Sequence, residues 1–131
     1  MKKNIHVVGA VIFEDNKILC AKRGGEKALP HLWEFPGGKI EKGESPADAL
    51  KRELLEEMKC KIDVHEQIEY TIYEYDFGVV HLTTFRCNLI EEKPVLTEHI
   101  DMKWLTPNEL HQLEWAPADI PAIEKIESLY V

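Results

Sequence analysis

Apolar and polar positions follow two rhythms along this chain. From His6 to Phe13 the run HVVGAVIF is almost unbroken apolar, and Lys17 to Arg23 (KILCAKR) resumes that character after Glu14-Asp15-Asn16. Short apolar runs separated by a polar trio read as two strands joined in a hairpin. Val64 to Tyr75 and Val79 to Leu89 are rich in β-formers and flank Asp76-Phe77-Gly78, which predicts a second hairpin. Ile100 to Leu105 predicts a short strand. Elsewhere the period is helical. Ala47, Leu50, Leu54 and Met58 form an apolar stripe on a helix from Ser45 to about Lys59. Ile120, Ile123, Ile126 and Leu129 do the same on a last helix from about Ala118 to Tyr130, and Thr106-Pro107 opens a short one carrying Leu110 and Leu113. Strands interrupted by helices predict an α+β fold with a mixed sheet.

Composition narrows the class. A chain of 131 residues without repeats, linkers or low-complexity segments is expected to form one domain over 1–131 with a real core. Its apolar runs are too short to span a bilayer, and no charged-then-apolar secretory start is present. Cys20, Cys60 and Cys87 are odd in number and lack metal-ligand spacing, which is expected of reduced thiols in a cytoplasmic protein, with Cys20 and Cys87 in strands and hence core. The net charge of −8 argues against a nucleic-acid-binding surface but admits a small polyanion if metal ions screen it from the carboxylates.

The chemistry concentrates between Gly38 and Cys60, GKIEKGESPADALKRELLEEMKC. Six fixed positions there (Gly38, Glu44, Arg52, Glu53, Glu56 and Glu57) would coincide by chance on the order of once in 10⁵ such chains. Ser45 is a good N-cap and Pro46 suits the first helical position. On the helix, Glu53, Glu56 and Glu57 stand at i, i+3 and i+4, so three carboxylates are expected to converge on one face. They repel unless a cation neutralises them, and oxygen-only ligation favours Mg²⁺ or Mn²⁺. Arg52, four residues before Glu56, is placed to orient it. Pro36-Gly37-Gly38 and Gly43 predict a tight loop that brings backbone groups close to a ligand.

That segment resembles the Nudix hydrolase box, G-x5-E-x7-R-E-U-x-E-E-x-G-U with U a bulky apolar residue. Trp33-Glu34-Phe35-Pro36-Gly37-Gly38-Lys39-Ile40-Glu41 is similar to the MutT-like branch, and the likeness covers essentially the whole chain. It implies the Nudix fold, a mixed sheet between helices, and Mg²⁺-dependent hydrolysis of nucleoside triphosphates to monophosphate and pyrophosphate. The substrate would be 8-oxo-dGTP, or CTP and modified dCTP, since Ala116-Pro117-Ala118-Asp119-Ile120-Pro121 is similar to the CTP enzymes. Other outcomes stay open: a nucleoside diphosphate derivative, an RNA 5′ end, or a catalytically silent nucleotide-binding scaffold. The family's glycine after the helix is Lys59 here. A left-handed residue there costs a non-glycine roughly 1–2 kcal/mol, so the course of the helix end is in question.

Site roles follow. Glu53, Glu56 and Glu57 are expected metal ligands, with the Gly37 carbonyl added by the resemblance and Arg52 orienting the carboxylates. Glu44 is either a group behind the ligands or a loop anchor. Glu98 is either a solvated loop acid or, as the resemblance implies, a mobile glutamate that binds metal or acts as base. Arg23 is either an exposed strand-end cation or a phosphate or ribose contact, and Lys39 is the better-placed phosphate partner. Phe35 matches a position lining the base pocket. Asp119 is either a helix cap or, by resemblance, the side chain that reads the base by accepting hydrogen bonds. The six histidines form no ligand pair and read as structural or surface groups, and Trp104 and Trp115 as core. Expected partners are a nucleotide, with no membrane and no stably bound nucleic acid, and the chain is expected as a monomer or homodimer.

Overall fold

The computed structural model describes residues 2–91 and 93–130. Both hairpins form. β1 (Asn4–Glu14) turns into β2 (Lys17–Lys22) through Asp15 and Asn16, which both take positive φ, the backbone that a two-residue hairpin turn requires. β5 (Lys61–Tyr75) turns into β6 (Gly78–Glu91) through Asp76 and Phe77. Two strands escape the hydrophobic pattern: β3 (Trp33–Glu34) and β4 (Gly37–Lys39) are too short and too glycine-rich to show a period of two. The predicted glycine loop is therefore partly strand. β7 (Asp101–Leu105) pairs with β2, and β4 with β1, on a sheet ordered β3-β2-β1-β6-β5. The β1–β6 pair is parallel and the others are antiparallel, so the sheet is mixed.

Two helices cover its faces. α1 (Pro46–Met58) starts at Ser45, whose hydroxyl accepts the Asp48 N–H at 3.2 Å. It buries Ala49, Leu50, Leu54 and Met58 against Val8, Ala10 and Ile12. Ala47, expected in the stripe, is only half-buried, and Ala49 takes the place. Each fully buried leucine or methionine contributes about 1.5–3 kcal/mol. α2 (Ile120–Tyr130) covers the opposite face, where Ile123 and Ile126 meet Val11, Ile18 and Cys20. Alternate residues of β1 thus serve two cores, which explains its unbroken apolar run. The stripe predicted on α2 is corrected at both ends: Ile120 and Leu129 are 43% and 58% exposed, because a row spaced strictly by three drifts around a helix of 3.6 residues per turn and only its middle members, Ile123 and Ile126, face the core. Residues 107–112 are likewise 3-10.

Lys59 does end α1 in the left-handed conformation, at φ 55° and ψ 31°. Its N–H donates to the Leu55 carbonyl at 3.2 Å, and the Cys60 N–H to Leu54 at 3.5 Å. The helix stops as it would with glycine, and lysine carries the strain. Cys20, Cys60 and Cys87 are fully buried, and burial pushes the Cys20 and Cys87 thiols up to about 12. Trp115 is buried in the α2-side core, and Trp104 packs half-buried against the α1-side core.

Candidate active site

β4 runs beside β1 and leads through residues 40–45 into α1, so the glycines face the helix directly. A Cβ on Gly37 would overlap the Val8 carbonyl oxygen, and one on Gly38 would overlap the Glu53 carboxylate. Glycine at position 37 is therefore what lets β4 lie this close to β1, and glycine at position 38 leaves the space that the Glu53 carboxylate occupies.

Arg52 holds this junction together. Its Nε and Nη2 grip Glu44 at 2.7 and 2.9 Å, and Nη2 also donates to the Lys39 carbonyl at 3.0 Å. Its Nη1 reaches Glu53 and Glu56, each at 3.1 Å. Glu44 in turn accepts the Glu41 N–H at 2.9 Å. Glu44 thus anchors the loop, from a place beside Arg52 at the edge of the acidic face. The fork of hydrogen bonds holds the Glu44 carboxyl below its usual range and raises Arg52.

The three helix glutamates do not close on one point. Glu53 lies between the other two around the helix, with Glu57 turned to the cleft and Glu56 to the opposite side. Glu53 and Glu57 line the cleft, while the Glu56 side chain is 61% exposed and tied to Arg52. Among the described residues no group of three or more carboxylate, histidine or cysteine side chains is arranged to hold an ion in this conformation. Burial raises Glu53, against the opposing pull of Arg52. Burial pushes Glu57 further, to about 8, and the charges of Glu53, Glu98 and Glu34 add to it. One oxygen of Glu57 is buried with no hydrogen-bond partner. Glu98 faces the same cleft across an ion pair with Lys27 at 2.8 Å, which lowers its pKa.

The cleft opens into a cavity of about 710 Å³ that runs from Glu57 to Asp119. At the far end Phe35 is buried against Trp115, with ring centroids 4.9 Å apart. Asp119 is buried, and its carboxylate accepts the Phe35 N–H at 3.3 Å, a bond across the fold that a helix cap would not make. Burial, then the charge of Glu34, raises this carboxyl well above the usual range. As expected of an acceptor, Asp119 takes a backbone hydrogen, here from Phe35. Tyr75 borders it, its hydroxyl accepting the Ala118 N–H at 2.8 Å. Arg23 is not a free strand-end cation: Nη1 pairs with Glu34 at 2.8 Å and Nε donates to the Ala28 carbonyl at 2.7 Å. Lys39 lines the cleft with an exposed side chain.

Comparison with known proteins bears on this layout. A model of the NUDIX domain matches residues 3–126. The chain belongs to the Nudix family. The CTP pyrophosphohydrolase of Escherichia coli K12 is 38% identical over 127 residues, spanning 97% of this chain and 94% of that protein. The 8-oxo-dGTP diphosphatase of the same organism is 32% identical over 129 residues, spanning 98% and 100%. The solution NMR structure of a Nudix hydrolase described as DNA mismatch repair protein MutT, from methicillin-resistant Staphylococcus aureus 252, is 58% identical. It covers 98% of each chain with a TM-score of 0.80. The chain is a Nudix hydrolase, and Nudix hydrolases generally use a divalent metal.

The donor chemistry of the cleft suits such an ion, although among the described residues the carboxylates are not gathered around one point in this conformation. A buried carboxylate oxygen without a partner, facing Glu53, Glu98 and Glu34, lacks a positive charge that a hard divalent cation supplies. Three residues of the Nudix cleft escaped the sequence reading. Lys27, Glu34 and His99 all line it, yet His99 reads from sequence as structural or surface and Glu34 only as part of the glycine segment. Their partners lie 71 and 65 positions away along the chain, which no local pattern reveals. The one available signal was the place of His99 directly after Glu98. Among the described residues no helix is long and apolar enough to cross a membrane.

Proposed function

We propose that this Nudix hydrolase splits nucleoside and deoxynucleoside triphosphates into monophosphate and pyrophosphate with Mg²⁺, which Mn²⁺ can replace, and that it removes modified nucleotides such as 8-oxo-dGTP or modified dCTP. One observation carries the reading: a single cleft joins an acidic end at Glu57, bearing a partnerless buried oxygen, to an aromatic and carboxylic end at Phe35 and Asp119. The names of the two Escherichia coli relatives support nucleoside triphosphates as the substrate class. The charge of −8 supports free nucleotides over nucleic acid. A single Nudix domain over 1–131, acting in the cytoplasm as monomer or homodimer, accords with this chemistry.

Glu53 and Glu57 would hold the metal, with the Gly37 carbonyl beside them and Glu56 swinging in from Arg52. An ion held there would supply Lewis acidity, shielding phosphate charge and making a water easier to deprotonate. Arg52 keeps Glu53 oriented through the bond that it already makes. Lys39, Arg23 and Lys27 face the triphosphate. Once Lys27 turns to phosphate, Glu98 loses the partner that lowers its pKa and becomes the stronger proton acceptor. Phe35 packs the base while Asp119 reads its hydrogen-bonding edge.

The test is incubation with a panel of nucleotides and Mg²⁺, quantifying pyrophosphate, phosphate and monophosphate. Pyrophosphate and monophosphate in equal amounts are expected, and Glu57→Gln lowers turnover by orders of magnitude because an amide is a poor Mg²⁺ ligand. Release of inorganic phosphate with a diphosphate, or a Glu57→Gln enzyme near the wild-type rate, removes the reading.

A further inference from the structure

Residues 93–100 join β6 to β7, carry Glu98, and are fastened at four points. The Val95 N–H donates to the Met58 carbonyl at 2.9 Å, and the Thr97 hydroxyl donates to the Glu57 carbonyl, so one end leans on the last turn of α1. The Ile100 N–H donates to the Lys22 carbonyl at 3.0 Å as β7 begins its pairing with β2. The fourth fastening is a buried side chain. His99, 5% exposed, directs Nε2 to Glu34 at 2.8 Å. A carboxylate only accepts, so that nitrogen carries a hydrogen.

Glu34 is a fixed post for this bond. Its other oxygen accepts Arg23 at 2.8 Å, and it stands on β3 one residue before Phe35. Glu98 is less constrained: its side chain is 48% exposed and its partner Lys27 is 42% exposed. An exposed ion pair contributes little positional control, so the place of Glu98 depends on the backbone to either side. The other ring nitrogen of His99 is buried without a hydrogen-bond partner, which costs stability. A leucine would fill that space without the cost. The position supplies the bond to Glu34, not bulk.

We propose that His99 is a positioning residue for Glu98. Its bond to Glu34 holds the loop so that Glu98 faces the Glu53 and Glu57 end of the cleft, and it ties that placement to the strand that leads into the nucleotide pocket. The inference rests on the role given to Glu98 above.

His99→Ala and His99→Leu, the second keeping the buried volume, are expected to lower kcat about ten- to a hundredfold with KM changed less than about threefold. His99→Gln, whose amide N–H can meet the same acceptor, recovers most of the rate. Hydrogen exchange quickens at the amides of residues 97–100 in the alanine and leucine variants and stays as in the wild type within α1. In a Glu98→Gln background, His99→Leu changes kcat by less than about twofold, because its effect passes through Glu98. Wild-type kcat in both single variants, or the same loss with and without the Glu98 carboxylate, overturns the proposal. A Glu98→Gln enzyme at the wild-type rate also overturns it, and that result needs no His99 variant, so failure of the Glu98 role is told apart.

Discussion

Asp119 ties two distant parts of the fold together and also lines the candidate site. Its acceptor bond from Phe35 N–H spans 84 positions, and the same carboxyl lines the cleft. Asp119→Ala is therefore expected to lower Tm, since it leaves the Phe35 N–H unsatisfied. Stability alone does not test base recognition. KM for the preferred nucleotide should rise more than kcat falls, and preference among CTP, dCTP, dGTP and 8-oxo-dGTP should flatten by about ten- to a hundredfold, the worth of about 1.5–3 kcal/mol. Unchanged ratios among those four would take Asp119 out of recognition. At this scale spacing or resemblance made Arg52, Glu53, Glu57, Phe35 and Asp119 candidates, and the fold places Glu53, Glu57, Phe35 and Asp119 along one cleft with Arg52 behind Glu53. The sequence could not show Glu34, His99 or Lys27, whose roles come from partners that only the folded chain brings near.

Elements were legible where local chemistry is strong. Turn residues marked both hairpins, and Ser45-Pro46 marked the start of α1 within a residue. β3 and β4 were not, because strands of two and three residues leave no periodic trace and exist through pairing with β2 and β1. The end of α1 offers a test. Lys59 holds a left-handed backbone at φ 55°, so Lys59→Gly relieves about 1–2 kcal/mol of strain and returns about 0.4–1 kcal/mol in unfolded-chain entropy. A net gain of about 0.5–1 kcal/mol, seen as a Tm rise of about 2–4 °C, is expected by calorimetry. An unchanged or lower Tm would mean that the lysine side chain compensates for the strain.

Over the whole molecule, the α+β class with a mixed sheet followed from strands interrupted by helices and the layering from the family resemblance, whereas the parallel pairing of β1 with β6 followed from neither. Those strands are joined in register by most of the fold between them, which no single segment encodes. The acidic cleft makes global stability depend on pH. Glu57 rises from its usual 4.5 to about 8, so the native state binds more protons than the unfolded chain between those values. Stability of the metal-free protein therefore falls as pH rises through that window, and the raised Glu53 and Asp119 act in the same direction. Tm scans from about pH 5 to about pH 8 should show this decline, less steep in Glu57→Gln. Mg²⁺ should raise Tm more at the upper end, where it no longer competes with a proton. A flat profile in the metal-free wild type would show that Glu57 is ionised throughout.

The burial of Cys20, Cys60 and Cys87 bears on the conditions in which such an enzyme works. Oxidants attack thiolate, and the Cys20 and Cys87 thiols, which burial pushes up to about 12, offer almost none at neutral pH, while Cys60 is fully buried. The three thiols are thus shielded from an oxidant by the packing around them. Mass spectrometry after hydrogen peroxide treatment should find all three sulfurs unmodified while the chain stays folded, and early sulfinic acid at any of them would show that the interior opens more readily than its packing implies.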